Sequence, residues 1–186
     1  MRTTESRLTT ETKLKRIAWL SAKDHQREFN NLMHLYNVES LAACFNELDG
    51  RKAVGADGVT KEAYGEKLGQ NLLDLIDRMK RMAYRPGPVR QVLIPKEGKP
   101  GAKRPLGIGN LEDKIVQKMT QKILESIYEP TFLECSYGFR PELGCHDAIK
   151  ALRGHLYRND VRIVIDVDLA NFLEPSSYCT PFHERI

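Results

Sequence analysis

Cysteine is scarce and unpatterned in this chain. Cys44, Cys135, Cys145 and Cys179 are scattered over 186 residues with no CxxC spacing and no histidine pair at zinc-ligand distance. That excludes a zinc ribbon and a disulfide scaffold, and fits reduced thiols in a reducing compartment. His146 follows Cys145 directly, but one adjacent pair does not make a tetrahedral site. Long apolar runs are also missing: none approaches the ~20 residues of a membrane span. Met1 to Arg7 carries no apolar stretch behind it that resembles a secretory signal, so a cytoplasmic location is expected. There is no internal repeat and no flexible linker. What is present is an ordinary globular balance, 41% hydrophobic and 29% charged. This is enough for one domain with a sizeable core, or one and a half small ones.

The net charge of +4 is modest but unevenly spread. Between Ile76 and Arg104, nine basic residues face two acidic ones, Asp77 and Glu97; the segment carries +7 and leaves −3 for the rest. Concentrated positive charge on a slightly acidic chain is a footprint of phosphate binding. A solvated surface has the same composition, and charge alone does not choose between them.

Periodicity predicts a helix-rich α+β chain. Glu11 to Tyr36 is helix-forming, with two apolar clusters, and a second helix is expected from Glu39 to Leu48. Thr60 is a good N-cap for a long helix reaching Met82, before Tyr84-Arg85-Pro86-Gly87-Pro88 forbids continuation. Val89 to Ile94 and Arg104 to Ile108 read as two strands joined by a glycine- and lysine-rich turn. Asn110 is placed to cap a helix in which Ile115, Met119, Ile123 and Ile127 recur every four residues, and Pro130 ends it. A further helix should turn Ala148, Ile149, Leu152 and Leu156 inward. The strand Arg162 to Leu169 comes last. Residues 173–186 have two prolines and no period, and read as a disordered tail.

Three groups of residues point to chemistry. Asp166 and Asp168 share one face of the expected strand among Ile163, Val164, Ile165, Val167 and Leu169. Carboxylates in so apolar a run need a partner or a cation. They fit a Mg²⁺ ligand set for phosphoryl transfer, and equally a strand end open to solvent. Lys96, Lys103 and Arg104 surround a glycine-rich hairpin able to close over a triphosphate, or simply an exposed basic turn. Tyr137 and Phe139 flank Gly138 beside Arg140. Rings with arginine suit base stacking, whereas rings plugging the core would anchor the loop instead, a reading that suits Phe139 better.

In order along the chain stand Gly55-Ala56-Asp57-Gly58, Tyr84-Arg85-Pro86-Gly87-Pro88-Val89-Arg90, Ile94-Pro95-Lys96, Arg104-Pro105-Leu106-Gly107-Ile108, and Asp113-Lys114-Ile115-Val116-Gln117. They continue with Glu129-Pro130-Thr131-Phe132, Ser136-Tyr137-Gly138-Phe139-Arg140-Pro141, His146-Asp147-Ala148-Ile149 and Asp166-Val167-Asp168-Leu169-Ala170-Asn171-Phe172. Over roughly residues 38–172 this series resembles the N-terminal half of the group II intron-encoded reverse transcriptases, the intron maturases. The resemblance implies a right-hand polymerase fold. Residues 1–50 would form a helical N-terminal extension and 51–160 the fingers and fingers/palm helices. Residues 161–172 would form the first strand of an incomplete palm.

By the same resemblance Asp168 is the catalytic aspartate and a metal ligand, with the Leu169 carbonyl a further ligand. Lys96 and Arg104 would bind the incoming dNTP. Arg85, Arg90, Lys99, Lys103, Tyr137, Phe139 and Arg140 would handle RNA. Mg²⁺ is the expected cofactor of the full-length parent. Intron RNA, an RNA template with DNA primer, and dNTPs are the expected partners, and a membrane is not.

Departures from the family pattern shape the expectation further. Leu173 and Glu174 stand where the family carries an aromatic and an aspartate, Glu142-Leu143-Gly144 replaces a basic and a small residue, and Gly109 replaces a common proline. No Tyr-x-Asp-Asp occurs among the 186 residues. Two-metal transfer needs carboxylates from separate strands around ions ~4 Å apart. Asp166 lies ~7 Å along the same strand and cannot supply the second set. The expectation is therefore a truncated reverse transcriptase that does not polymerise alone and that a C-terminal polypeptide could complement. The alternatives are a non-enzymatic RNA-binding module, a non-functional remnant, and, among enzymes, a retron or diversity-generating reverse transcriptase.

Overall fold

The computed structural model describes residues 9–95, 98, 101, 103–159 and 161–167. It divides into two compact units, one ending at Leu133 and the other beginning at Glu134. Among the described residues it is mixed helix with a small antiparallel sheet, consistent with an α+β class.

The first unit is built on three helix starts that their sequences specify. Thr9 accepts from the Thr12 backbone N–H and opens α1, Thr10–Lys23. Asn37 and Ser40 satisfy each other's backbone donors and open α2, Val38–Glu47. Thr60 accepts from the Ala63 N–H and opens α3, Lys61–Gly65. Each such cap contributes about 1 kcal/mol by satisfying orphan donors.

The helix-forming stretch after Glu11 stops earlier than its composition predicts. Asp24 leaves helical geometry, and its carboxylate accepts from the Gln26 N–H. The second apolar cluster then forms only a 3₁₀ turn, Leu32–Leu35, behind Asn31 at φ 58°. Side chains that hydrogen-bond nearby backbone compete with helix in this way.

The single helix predicted from Thr60 to Met82 is likewise two. α3 ends at Gly65, Lys67 sits outside helical geometry, and α4 runs Leu68–Lys80. Glycines at 65 and 69 weaken the helix there. The freed Tyr64 carbonyl accepts from the Asn71 amide at 3.0 Å, and the break lays the Tyr64 ring against Phe45.

α5, Leu111–Tyr128, is the spine of this unit, and α1 and α2 pack on it while α4 packs on α2. Ile115, Leu41, Cys44, Leu72 and Leu75 are fully buried where these helices meet, with Met119 beside them. Each such aliphatic side chain is worth roughly 1.5–3 kcal/mol of burial. Ser21 of α1 donates to the Ile127 carbonyl at 2.5 Å and joins α1 to the last turn of α5.

β1, Arg90–Pro95, pairs antiparallel with β2, Lys103–Ile108, in the hairpin that the sequence predicts. Gly98 and Gly101 in the connection take φ of 74° and 83°, values that favour glycine.

The second unit holds α6, Cys145–Arg158. Its predicted inward face is not inward: Ile149 and Leu152 are exposed and α6 has no buried residue. The amphipathic period is present, but none of the described residues of this unit buries the face. The predicted strand is also absent from residues 161–167, which have no regular structure and are exposed. β-rich composition makes a strand only when a neighbouring strand pairs with it, and among the described residues the one sheet is β1 with β2.

Candidate nucleic-acid interface

Antiparallel pairing fixes which hairpin side chains share a face. Arg90 lies opposite Ile108, Val92 opposite Leu106, and Ile94 opposite Arg104. One face therefore carries an arginine near each end with Val92, Ile94 and Leu106 between them. Lys103 pairs with Pro95 and belongs to the other face, beside Gln91 and Leu93. The sequence placed Lys103 and Arg104 together around one turn; the register separates them. All three basic side chains are exposed, and among the described residues no carboxylate ion-pairs with them. Arg85 is different, since its guanidinium donates to the carbonyls of Met82 and Tyr84.

A buried polar hub at the start of α5 holds the base of this hairpin. Asn110 occupies the N-cap position but does not cap. Its Oδ1 accepts instead from the backbone N–H of Ala56 at 3.0 Å and of Asp57 at 3.4 Å. Asp113, 5% exposed, accepts from the Gly87 N–H at 3.0 Å and from the Tyr84 hydroxyl. Glu112 next to it takes the Arg78 guanidinium at 2.8 Å and the Tyr64 hydroxyl at 3.4 Å.

Burial, and then the Asp113 carboxylate, push the Tyr84 phenol above its ordinary range. Burial followed by Glu112 does the same to Tyr64. The hydrogen bond to Glu112 holds Arg78 more firmly protonated than a free guanidinium.

A cleft of about 310 Å³ opens nearby, between the end of α2, the loop after it and α5, with Lys52, Lys61, Lys114 and Lys118 on its walls. Lys61 donates to the Asn46 and Leu48 carbonyls and Lys114 to the Ala53 carbonyl, while Glu47 and Asp49 share the cleft walls.

Three relatives place the chain. The group II intron-encoded protein LtrA of Lactococcus lactis subsp. cremoris is 32% identical over 141 residues, which is 75% of this chain and 23% of LtrA. Protein YkfC of Escherichia coli K12 is 39% identical over 140 residues, 74% of this chain and 35% of that protein. The putative COX1/OXI3 intron 1 protein of Saccharomyces cerevisiae is 30% identical over 139 residues, 74% of this chain and 16% of that protein.

The chain belongs to the group II intron-encoded proteins.

It spans about a quarter to a third of the length of the first two of these relatives. No protein-family model matches it.

The residues that the intron-encoded resemblance singles out are not all within the described part. Asp168, Leu169, Lys96 and Lys99 lie outside the described residues. Arg85, Arg90, Lys103 and Arg104 lie in the first unit, and Tyr137, Phe139 and Arg140 in the second. Phe139 is not a core plug: it is fully exposed, on a left-handed backbone at φ 57°. Tyr137 is half-buried, and the Arg140 guanidinium donates to the Ser136 carbonyl at 2.8 Å. Among the described residues no three His, Cys, Asp or Glu side chains gather as a metal site. No helix among them is long and apolar enough to cross a membrane.

The sequence did not single out Asn110 or Asp113 for the role they play. One signal was available. Gly55 and Gly87 both abut Asn110, and a Cβ on either would stand 2.2 Å from its side-chain amide. Paired glycines in motif loops mark such close approaches.

Proposed function

We propose that this chain supplies the RNA-gripping fingers of an RNA-directed DNA polymerase encoded by a group II intron. Family membership supports the enzyme class. The observation that carries the RNA reading is the hairpin face with Arg90 and Arg104 at its ends, exposed and free of carboxylate partners among the described residues. Arginines so placed can fork onto phosphate oxygens, while the aliphatic surface between them suits a sugar or base face. Arg104, and by the family resemblance Lys96, would also contact the triphosphate of the incoming nucleotide. Tyr137, Phe139 and Arg140 would stack on or pair with the template.

Intron RNA, the template–primer duplex and dNTPs would be the partners of the complete enzyme, which would also assist splicing. Mg²⁺ would take Asp168 and the Leu169 carbonyl as ligands and supply charge neutralisation of the transferring phosphate. The remaining carboxylates would come from a Tyr-x-Asp-Asp motif, which these 186 residues do not contain. The polypeptide on its own would therefore bind but not extend.

The test is a poly(rA)–oligo(dT) duplex with dTTP and Mg²⁺. Binding that weakens steeply with salt, without incorporation, is expected. Incorporation by the purified chain would overturn its catalytic insufficiency, and salt-independent or absent binding would overturn the RNA reading.

A further inference from the structure

We propose that Asn110 and Asp113 are positioning residues that fix the root of β1 against the start of α5, where β2 already joins through the main chain, and lock the 55–58 loop to the same point. The inference rests on the reading of that hairpin as the RNA-contacting arm.

The root of β1 is the segment 84–89, and its chemistry leaves it dependent on Asp113. Pro86 and Pro88 have no backbone N–H, so Gly87 carries the sole main-chain donor of the three. That donor goes to the Asp113 carboxylate at 3.0 Å, and the Tyr84 hydroxyl goes to its other oxygen. The root of β2 is tied covalently, since Ile108 is followed by Gly109 and then Asn110, which opens α5. Asn110 faces both neighbouring loops. Its Oδ1 takes the Ala56 and Asp57 donors, and its Nδ2 fills the space beside Gly87.

Two side chains one helical turn apart thus hold two segments, the third is joined to α5 through the main chain, and α5 is anchored in the core by Ile115 and Met119. Among the described residues the hairpin has no strand partner beyond itself, so its direction is set at the root. An arm held in one direction loses less conformational freedom when it binds than a swinging one. The carboxylate of Asp113 is also favoured where it sits, in the first turn of α5 at the positive end of the helix dipole.

The experiment uses the full 186-residue chain, labelled with ¹⁵N, as wild type, Asn110→Ala and Asp113→Leu. Two quantities are read: backbone order parameters at Val92 and Leu106, and affinity for poly(U) over a salt series. In both variants the order parameters at 92 and 106 should fall from about 0.85 toward 0.6 or below. Those at Leu41 and Leu75 should not move. Poly(U) affinity should drop about tenfold, the scale of a buried donor left unmade, with an unchanged salt slope because the phosphate contacts are the same.

Unchanged mobility at 92 and 106 would overturn the inference, and so would equal loosening at Leu41 and Leu75, which marks a merely structural role. Should Asn110→Ala fail to fold, Asp113→Leu, which keeps the branched shape and offers no acceptor, decides the matter. A wild-type chain that does not bind poly(U) at all would sink the RNA reading, while the order parameters would still settle whether the hub positions the hairpin.

Discussion

Gly55 and Asn110 meet backbone to backbone: a Cβ on Gly55 would stand 2.6 Å from the Asn110 Cα and 2.8 Å from its nitrogen. Main chain cannot turn aside as a flexible side chain can. Gly55→Ala should therefore cost about 1–3 kcal/mol or more, the range of overpacked sites, read as a lower urea midpoint at unchanged slope. Gly58→Ala is the control for open space, since nothing lies within 4 Å of its Cβ direction; its cost comes only from φ of 69°.

The Tyr84 phenol predicts a response to alkali. Its ionisation is pushed above the ordinary value of 10.0, by burial first and then by Asp113. The folded state thus favours the neutral phenol. That stabilisation is complete below the unfolded value and is lost as pH rises through and beyond it. Tyr84→Phe should lower stability at neutral pH by losing the bond to Asp113, yet decline less steeply than wild type at alkaline pH. Thermal melts across that range check both signs. Parallel curves would contradict the burial of this hydroxyl.

Ser21 spans α1 and α5 through one hydrogen bond to the Ile127 carbonyl. That carbonyl belongs to the last turn of α5, where intrahelical donors have run out. Ser21→Ala should cost about 1 kcal/mol in urea titration, because a part-buried acceptor loses its partner. Poly(U) binding should be unaffected, which separates this contact from the hairpin.

How much of this was legible varied with the range of the interaction. The stripe Ile115, Met119, Ile123 is local in sequence, and the helix and its buried face appear as expected. The hairpin was readable from two β-rich runs around glycines, yet the separation of Lys103 from Arg104 needed the register. The break between α3 and α4 was signalled by Gly65 and Gly69 but outweighed by the apolar period. α6 kept its period without a covered face, because amphipathicity says which side is apolar and not what packs on it. The hub was out of reach: Asn110 meets Ala56 across 54 residues and Asp113 meets Gly87 across 26, and no local pattern encodes such pairs.

The most direct measurement compares wild type with the combined variant Arg90→Ala, Lys103→Ala, Arg104→Ala on poly(U) at increasing salt. For single strands the logarithmic slope changes by about 0.7 for each phosphate contact, so removing three should flatten it by up to about 2 and weaken binding at low salt. If the two proteins bind equally well with the same slope, the hairpin is not the arm that grips RNA.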